Sequence, residues 1–130
     1  MASFKSILLI EDDPITIMVC ERIIRMTGFA EQLTSVTNGQ EAIDYLQELA
    51  KTDRNAMPDI IFLDINMPVM DGWEFLEQFH HIQPLFTTQP AVYVLSSTVD
   101  PEDYTRAESY GIVRRFVSKP LTREVLESIQ

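Results

Sequence analysis

Five short runs of β-forming residues, each separated from the next by a stretch of helical periodicity, constrain this chain more than any other feature. The runs fall at residues 5–10, at 31–37 (EQLTSVT), at 59–64 (DIIFLD), at 91–95 (AVYVL) and at 113–118 (VRRFVS). After the second run, Ala42, Tyr45, Leu46, Leu49 and Ala50 recur at i, i+3, i+4, i+7 and i+8, which is one apolar stripe on a helix. Gly72, Phe75, Leu76 and Phe79 repeat that spacing after the third run, and Trp73, one turn from Leu76, reads as packing. Helix starts are marked too. Asp13 before Pro14 and Asp100 before Pro101 each pair an N-cap with a proline whose missing N–H is not needed in the first turn. Regular alternation of strand and helix predicts βαβ units and a parallel sheet covered on both faces, an α/β doubly wound fold. The first and third runs are continuously apolar, as strands buried on both faces should be.

In such sheets, ligands sit beyond the carboxyl ends of the strands, at the point where strand order reverses. Strand-end residues are therefore the site candidates: Glu11, Asp12 and Asp13 after the first strand, Asp64 after the third, Ser96 after the fourth and Lys119 after the fifth. The second strand ends near Thr37 without a charged group, as expected of an edge strand away from the site. Acids near turns are usually caps or solvated loop residues, and that reading suits Asp13. It does poorly for the others. Two carboxylates about 4 Å apart repel by roughly 4 kcal/mol at an effective dielectric near 20, a cost that solubility alone does not explain. A hard divalent cation such as Mg²⁺ reverses the repulsion, because it prefers oxygen ligands and is held by one or two carboxylates plus phosphate oxygens. An aspartate kept ionised between such a cation and Lys119 can attack phosphorus, since carboxylates form aspartyl-phosphates.

Charge and composition narrow the partners. Twenty acids against ten Lys and Arg give a net charge of −10, which repels nucleic acid and anionic membrane. The densest basic spot is Arg114–Arg115, so no nucleic-acid partner is expected. Apolar runs such as ILLI and AVYVL are too short to span a bilayer, and the N-terminal run meets acids at once, unlike a signal peptide. Cys20 is the only cysteine, so an internal disulfide is impossible and a reducing, cytoplasmic setting is expected. Its place in a helical apolar pattern reads as a buried inert thiol. His80 and His81 follow the third helix at a polar end and read as surface residues rather than as a metal or phosphotransfer site.

The segments IEDDP, FLDINMPVMDG, VLSS and FVSKPL, in that order, resemble the two-component response regulator receiver domain, the CheY-like family. The resemblance covers essentially the whole chain, and DINMPVMDG matches the family pattern D-x-x-M-P-x-M-D-G. It implies a flavodoxin-like (βα)₅ fold with strand order 2-1-3-4-5. It implies Asp64 as phosphoacceptor, with Asp12 as direct Mg²⁺ ligand, Glu11 acting through a metal-bound water and the backbone carbonyl of Asn66 as a third ligand. Ser96 takes the conserved hydroxyl position, Lys119 the conserved lysine and Phe116 the switch aromatic, while the Lys119–Pro120 bond is expected to be cis. Asp71 and Gly72 close the loop and start a helix. Ser97 and Thr98, beside Ser96, are expected to influence water access to the phosphoryl group. Three residues depart from the commonest pattern: Glu11 for Asp, Ser96 for Thr and Phe116 for Tyr. The last removes a phenolic hydrogen bond and leaves a packing switch.

By this resemblance the protein is expected to take a phosphoryl group from a sensor histidine kinase or a histidine phosphotransfer protein. It would catalyse its own loading and later hydrolysis rather than act as a turnover enzyme. The output face is expected to comprise the fourth helix, fifth strand and fifth helix, residues about 101–130, acting on a downstream protein target as a monomer or a phosphorylation-dependent dimer. A single domain over 1–130 with no output domain is expected, with the last ten or so residues in the fifth helix. Two rivals remain. A phosphorylation-independent binding module of the same fold would typically have lost the acids or the lysine, and all are present. An aspartyl-nucleophile Mg²⁺ phosphatase would carry an Asp two residues beyond the nucleophile, where this chain has Asn66.

Overall fold

The structure, a computed structural model, describes residues 4–67, 70–97 and 100–129, with only the backbone of Arg54. Strands β1 (Phe4–Ile10), β2 (Ala30–Val36), β3 (Ile60–Asp64), β4 (Ala91–Ser96) and β5 (Val113–Ser118) alternate with helices α1 (Pro14–Thr27), α2 (Gly39–Thr52), α3 (Gly72–Ile82), α4 (Pro101–Ser109) and α5 (Arg123–Ser128). All neighbouring strands pair in parallel, in the order β2-β1-β3-β4-β5. The expected doubly wound, flavodoxin-like sheet is therefore what forms.

The strand pleat sends alternate residues to opposite faces, and each face has its own core. On one side Leu8, Ile10, Ile61, Leu63, Val92 and Val94 pack under α2, α3 and α4, against residues such as Leu46, Phe75 and Ala107. On the other, Ile7, Leu9, Ile60, Phe62, Tyr93 and Leu95 meet Cys20 and Ile24 of α1 and Leu126 of α5. Both faces of β1 and β3 are thus covered, which is why those runs carry no polar alternation.

Helix starts follow the capping logic. Asp13 accepts hydrogen bonds from the Thr16 amide (3.2 Å) and hydroxyl (2.6 Å), and Asp100 accepts from the Glu102 amide (2.9 Å). Asp71 and Glu74 form a reciprocal capping box at α3, with Asp71 accepting from the Glu74 amide at 2.9 Å. Trp73 is buried, stacked on Tyr110 and covered by the Arg106 guanidinium 4.3 Å above its ring, which ties α3 to α4.

Strand ends fall within one residue of expectation, and two of the boundary differences have a visible cause. Thr37 leaves β2 because its amide and hydroxyl both donate to Glu41 Oε1, drawing it into the start of α2. Helix α5 covers six residues rather than ten, because Thr122 caps it by accepting from the Val125 amide, while Leu121 is spent on core packing.

Candidate functional site

Sheet register builds the site. Ile10 of β1 stands opposite Leu63 of β3, so the next residue on β1, Glu11, arrives beside Asp64. Asp64 in turn pairs with Leu95, which brings Ser96 to the same end, and Ser96 pairs with Ser118, so Lys119 follows. The Lys119 amide donates to the Ser96 carbonyl at 2.9 Å, and the Lys119–Pro120 bond is cis. Strand order reverses between β1 and β3, so the acids occupy the switch point of the sheet.

Carboxylate oxygens of Glu11, Asp12 and Asp64 all lie within 4.8 Å of one another. Glu11 is wholly buried and Asp64 nearly so. The Lys119 ammonium reaches Glu11 Oε1 at 2.7 Å and Asp64 Oδ1 at 3.5 Å. Glu11 Oε2 accepts from the Asp13 amide at 3.1 Å, and Asp64 Oδ1 accepts from the Asn66 amide at 3.3 Å. These groups open into a cleft of about 300 Å³ lined by Glu11, Asp12, Asp13, Thr16, Asp64, Asn66, Ser97 and Lys119.

Burial, then the negative charge of Glu11, push the Asp64 carboxyl up to about 6, with Lys119 opposing. Burial works against the Lys119 ammonium, but its hydrogen bond to Glu11 and the charges of Asp64 and Glu11 outweigh that and hold its pKa above the usual lysine value. Three carboxylates against one ammonium leave a surplus of negative charge beside an open cleft. The donors are all oxygens, so the residues fit a hard divalent cation rather than a thiolate- or imidazole-binding metal. Among the described residues this is the one such acid cluster, and His80 and His81 lie in the last turn of α3 outside it.

Glu11, Asp12, Asp64, Asn66 and Lys119 are thus brought together. Ser96 is fully buried at the end of β4, and the wall of the cleft at that corner is formed by Ser97. Thr98, like Pro68 and Val69 of the DINMPVMDG segment, lies outside the described residues. Phe116 is half-buried on β5, away from the cleft, with its ring 5.5 Å from that of Tyr104 on α4. Sequence reasoning missed Thr16 as a cleft residue. Its signal was its place in the first turn after the Asp13–Pro14 cap. Cys20 is buried, and burial raises its thiol to about 11, as an inert thiol should be. No described helix is long and apolar enough to cross a membrane.

Comparison with known proteins follows the same line. The family model described as the response regulator receiver domain matches residues 7–129. The probable methanogenesis regulatory protein FilR2 of Methanothrix harundinacea is 33% identical over 93% of this chain and 76% of its own length. A crystal structure of a two-component response regulator from Cytophaga hutchinsonii is 42% identical, with a TM-score of 0.88 over 98% of this chain and 94% of that one. The Mn²⁺-bound form of response regulator Rcp1 is 25% identical, with a TM-score of 0.72 over 96% of this chain and 88% of that one. Several other curated relatives are far longer, and this chain spans 25%, 8% and 10% of three of them.

Proposed function

The chain belongs to the response regulator receiver family of two-component signalling, and on that premise we propose that Asp64 is its phosphoacceptor, loaded in a Mg²⁺-dependent transfer from phosphohistidine. The observation that carries this reading is the convergence of three carboxylates within 4.8 Å, with the Lys119 ammonium 3.5 Å from Asp64. A divalent cation bound there supplies positive charge against the carboxylates and the phosphoryl oxygens. Rcp1, a response regulator of the same fold, is Mn²⁺-bound, which supports a divalent cation here, and the all-oxygen donor set favours a hard cation such as Mg²⁺.

In this reading Asp12 and Asp64 would hold the cation directly, the Asn66 carbonyl would complete the set and Glu11 would act through a metal-bound water. In the transfer, an Asp64 carboxylate oxygen forms a bond to phosphorus as the P–N bond to the donor imidazole breaks. The bonding pair leaves with that nitrogen. Such a transfer is mostly positioning and charge neutralisation. Lys119 is positioned to pair with a phosphoryl oxygen, and the hydroxyls of Ser96 or Ser97 offer further donors. Slow hydrolysis of the acyl phosphate resets the switch, so the protein turns over once per signal.

Receiver domains interact with histidine kinases and phosphotransfer proteins, and such a protein is the proposed donor, in the cytoplasm. The phosphoryl group adds charge and acceptor oxygens at the end of β4. We place the readout on α4, β5 and α5, where Phe116 packs on Tyr104, and assign it a protein target contacted by a monomer or a phosphorylation-dependent dimer. The test is intact mass after incubation with acetyl phosphate, with and without Mg²⁺, for wild type and Asp64→Asn. A single Mg²⁺-dependent phosphoryl adduct absent from the variant supports the reading. No adduct from acetyl phosphate or a phosphohistidine donor, despite bound Mg²⁺, returns the chain to a phosphorylation-independent binding module.

A further inference from the structure

We infer that Gly39, the first residue of α2, is a positioning residue for the acid site, acting as a backbone stop that sets where Met70 and Gly72, just before and at the start of α3, sit. The inference rests on the reading of Asp64 and its neighbours as a cation-dependent phosphoacceptor site. Gly39 is buried, and its amide donates to the Met70 carbonyl at 3.1 Å. A Cβ at Gly39 would lie 2.8 Å from the Met70 carbonyl oxygen, 2.8 Å from its Cγ and 3.0 Å from its Sδ. Such contacts force something to move, because part of the obstacle is backbone.

Helix α2 is the side that stays. Asn38 caps it by accepting from the Glu41 amide at 2.8 Å, while Glu41 Oε1 reaches back to the Thr37 amide at 3.0 Å and to its hydroxyl at 2.5 Å. Buried Ala42, Ile43 and Leu46 fix the next turns against the sheet. The Met70 side leads directly to the chemistry. Two residues on, the Gly72 amide donates to the Ile65 carbonyl at 2.8 Å. Gly72 packs so closely that a Cβ there would stand 2.8 Å from the Asp64 carbonyl oxygen and 2.7 Å from Ile65 Cα. A shift at Met70 is therefore passed to Ile65, between the phosphoacceptor and Asn66. The close approach of two backbones at Gly39 thereby holds Ile65, and with it Asp64 and Asn66 on either side, in position for the cation.

The test is a Mg²⁺ titration of Gly39→Ala, read by fluorescence of Trp73, the only tryptophan, which follows Gly72. Gly111→Ala serves as the control, since a Cβ there meets nothing within 4 Å. Removing a contact that orients a ligand from outside the ligand set typically weakens metal binding ~10-fold or more, and that is the expected loss for Gly39→Ala, with Gly111→Ala unchanged. A purely structural role for Gly39 would lower the melting temperature in chelator while leaving Mg²⁺ affinity at wild type, and that result overturns the inference. If Gly39→Ala does not fold, amide exchange in the wild type decides. Coupling is reciprocal, so adding Mg²⁺ must slow exchange of the Gly39 amide together with that of Gly72, and an unchanged Gly39 amide overturns the inference. A wild type that binds no Mg²⁺ overturns the site reading and this inference with it, whereas normal binding by both wild type and Gly39→Ala overturns this inference alone.

Discussion

The Lys119 ammonium lies 2.7 Å from Glu11 Oε1, on a carboxylate with no exposure to solvent. Removing one partner of a buried pair leaves the other charge uncompensated. Lys119→Ala is therefore expected to cost about 2–4 kcal/mol in chelator, the lower end reflecting the partial exposure of the lysine. Saturating Mg²⁺ should restore part of the loss by standing in for the missing positive charge. Urea unfolding with and without Mg²⁺ measures both, and a variant as stable as wild type in chelator would contradict the account.

Asp64 carries a destabilising charge when no cation is bound. Its carboxyl is raised from 3.8 to about 6 by burial and by Glu11. A folded-state value above the unfolded one means that the stabilising contribution is complete below about 3.8 and is lost as pH rises through about 6. In chelator, Asp64→Asn should raise stability at pH 7 by on the order of 1–3 kcal/mol. It should also remove the part of the pH dependence between those two values. Thermal melts of both proteins across that window decide it, and equal slopes would contradict the assignment.

Cys20 should be almost inert in the folded protein. With its thiol at about 11, only about one molecule in a thousand carries thiolate at pH 8, and the sulfur is buried besides. Labelling by a thiol reagent should be slow in native protein, climb as pH approaches 11 and be immediate in denaturant. Equal native and denatured rates at pH 8 would place the thiol elsewhere.

Phe116 should separate loading from readout. Its ring contacts Tyr104 rather than the cleft, so Phe116→Ala should take phosphoryl from acetyl phosphate within ~3-fold of the wild-type rate, as expected for distant, independent sites. Helix α4 should lose its change in amide exchange on phosphorylation. A variant that cannot be loaded would move Phe116 into the chemistry.

Much of this could be read from the chain before any coordinates. Continuous apolar runs ending in Glu11 and Asp64 revealed buried central strands with charges at one end, and Asp13–Pro14 and Asp100–Pro101 marked helix starts that the hydrogen bonds reproduce. What stayed hidden depends on register and on contacts between distant segments. Whether Ser96 or Ser97 lines the cleft turns on the pleat at the end of β4, which a run of similar hydroxyls does not reveal. The meeting of Gly39 with Met70 joins residues thirty-one positions apart, and neither residue type announces it. The shortened α5 follows from the Thr122 cap, which the sequence offers no more strongly than an earlier start.

The central claim is that the Asp64 carboxyl receives the phosphoryl group. It is tested most directly by loading the wild type with acetyl phosphate and Mg²⁺, reducing the acyl phosphate with borohydride and locating the reduced residue by peptide mass spectrometry. One reduced residue, Asp64, is expected, in a reaction abolished by chelator. Reduction at Asp12, Asp13 or Glu11 in its place, or a phosphoryl group that resists borohydride, would contradict it.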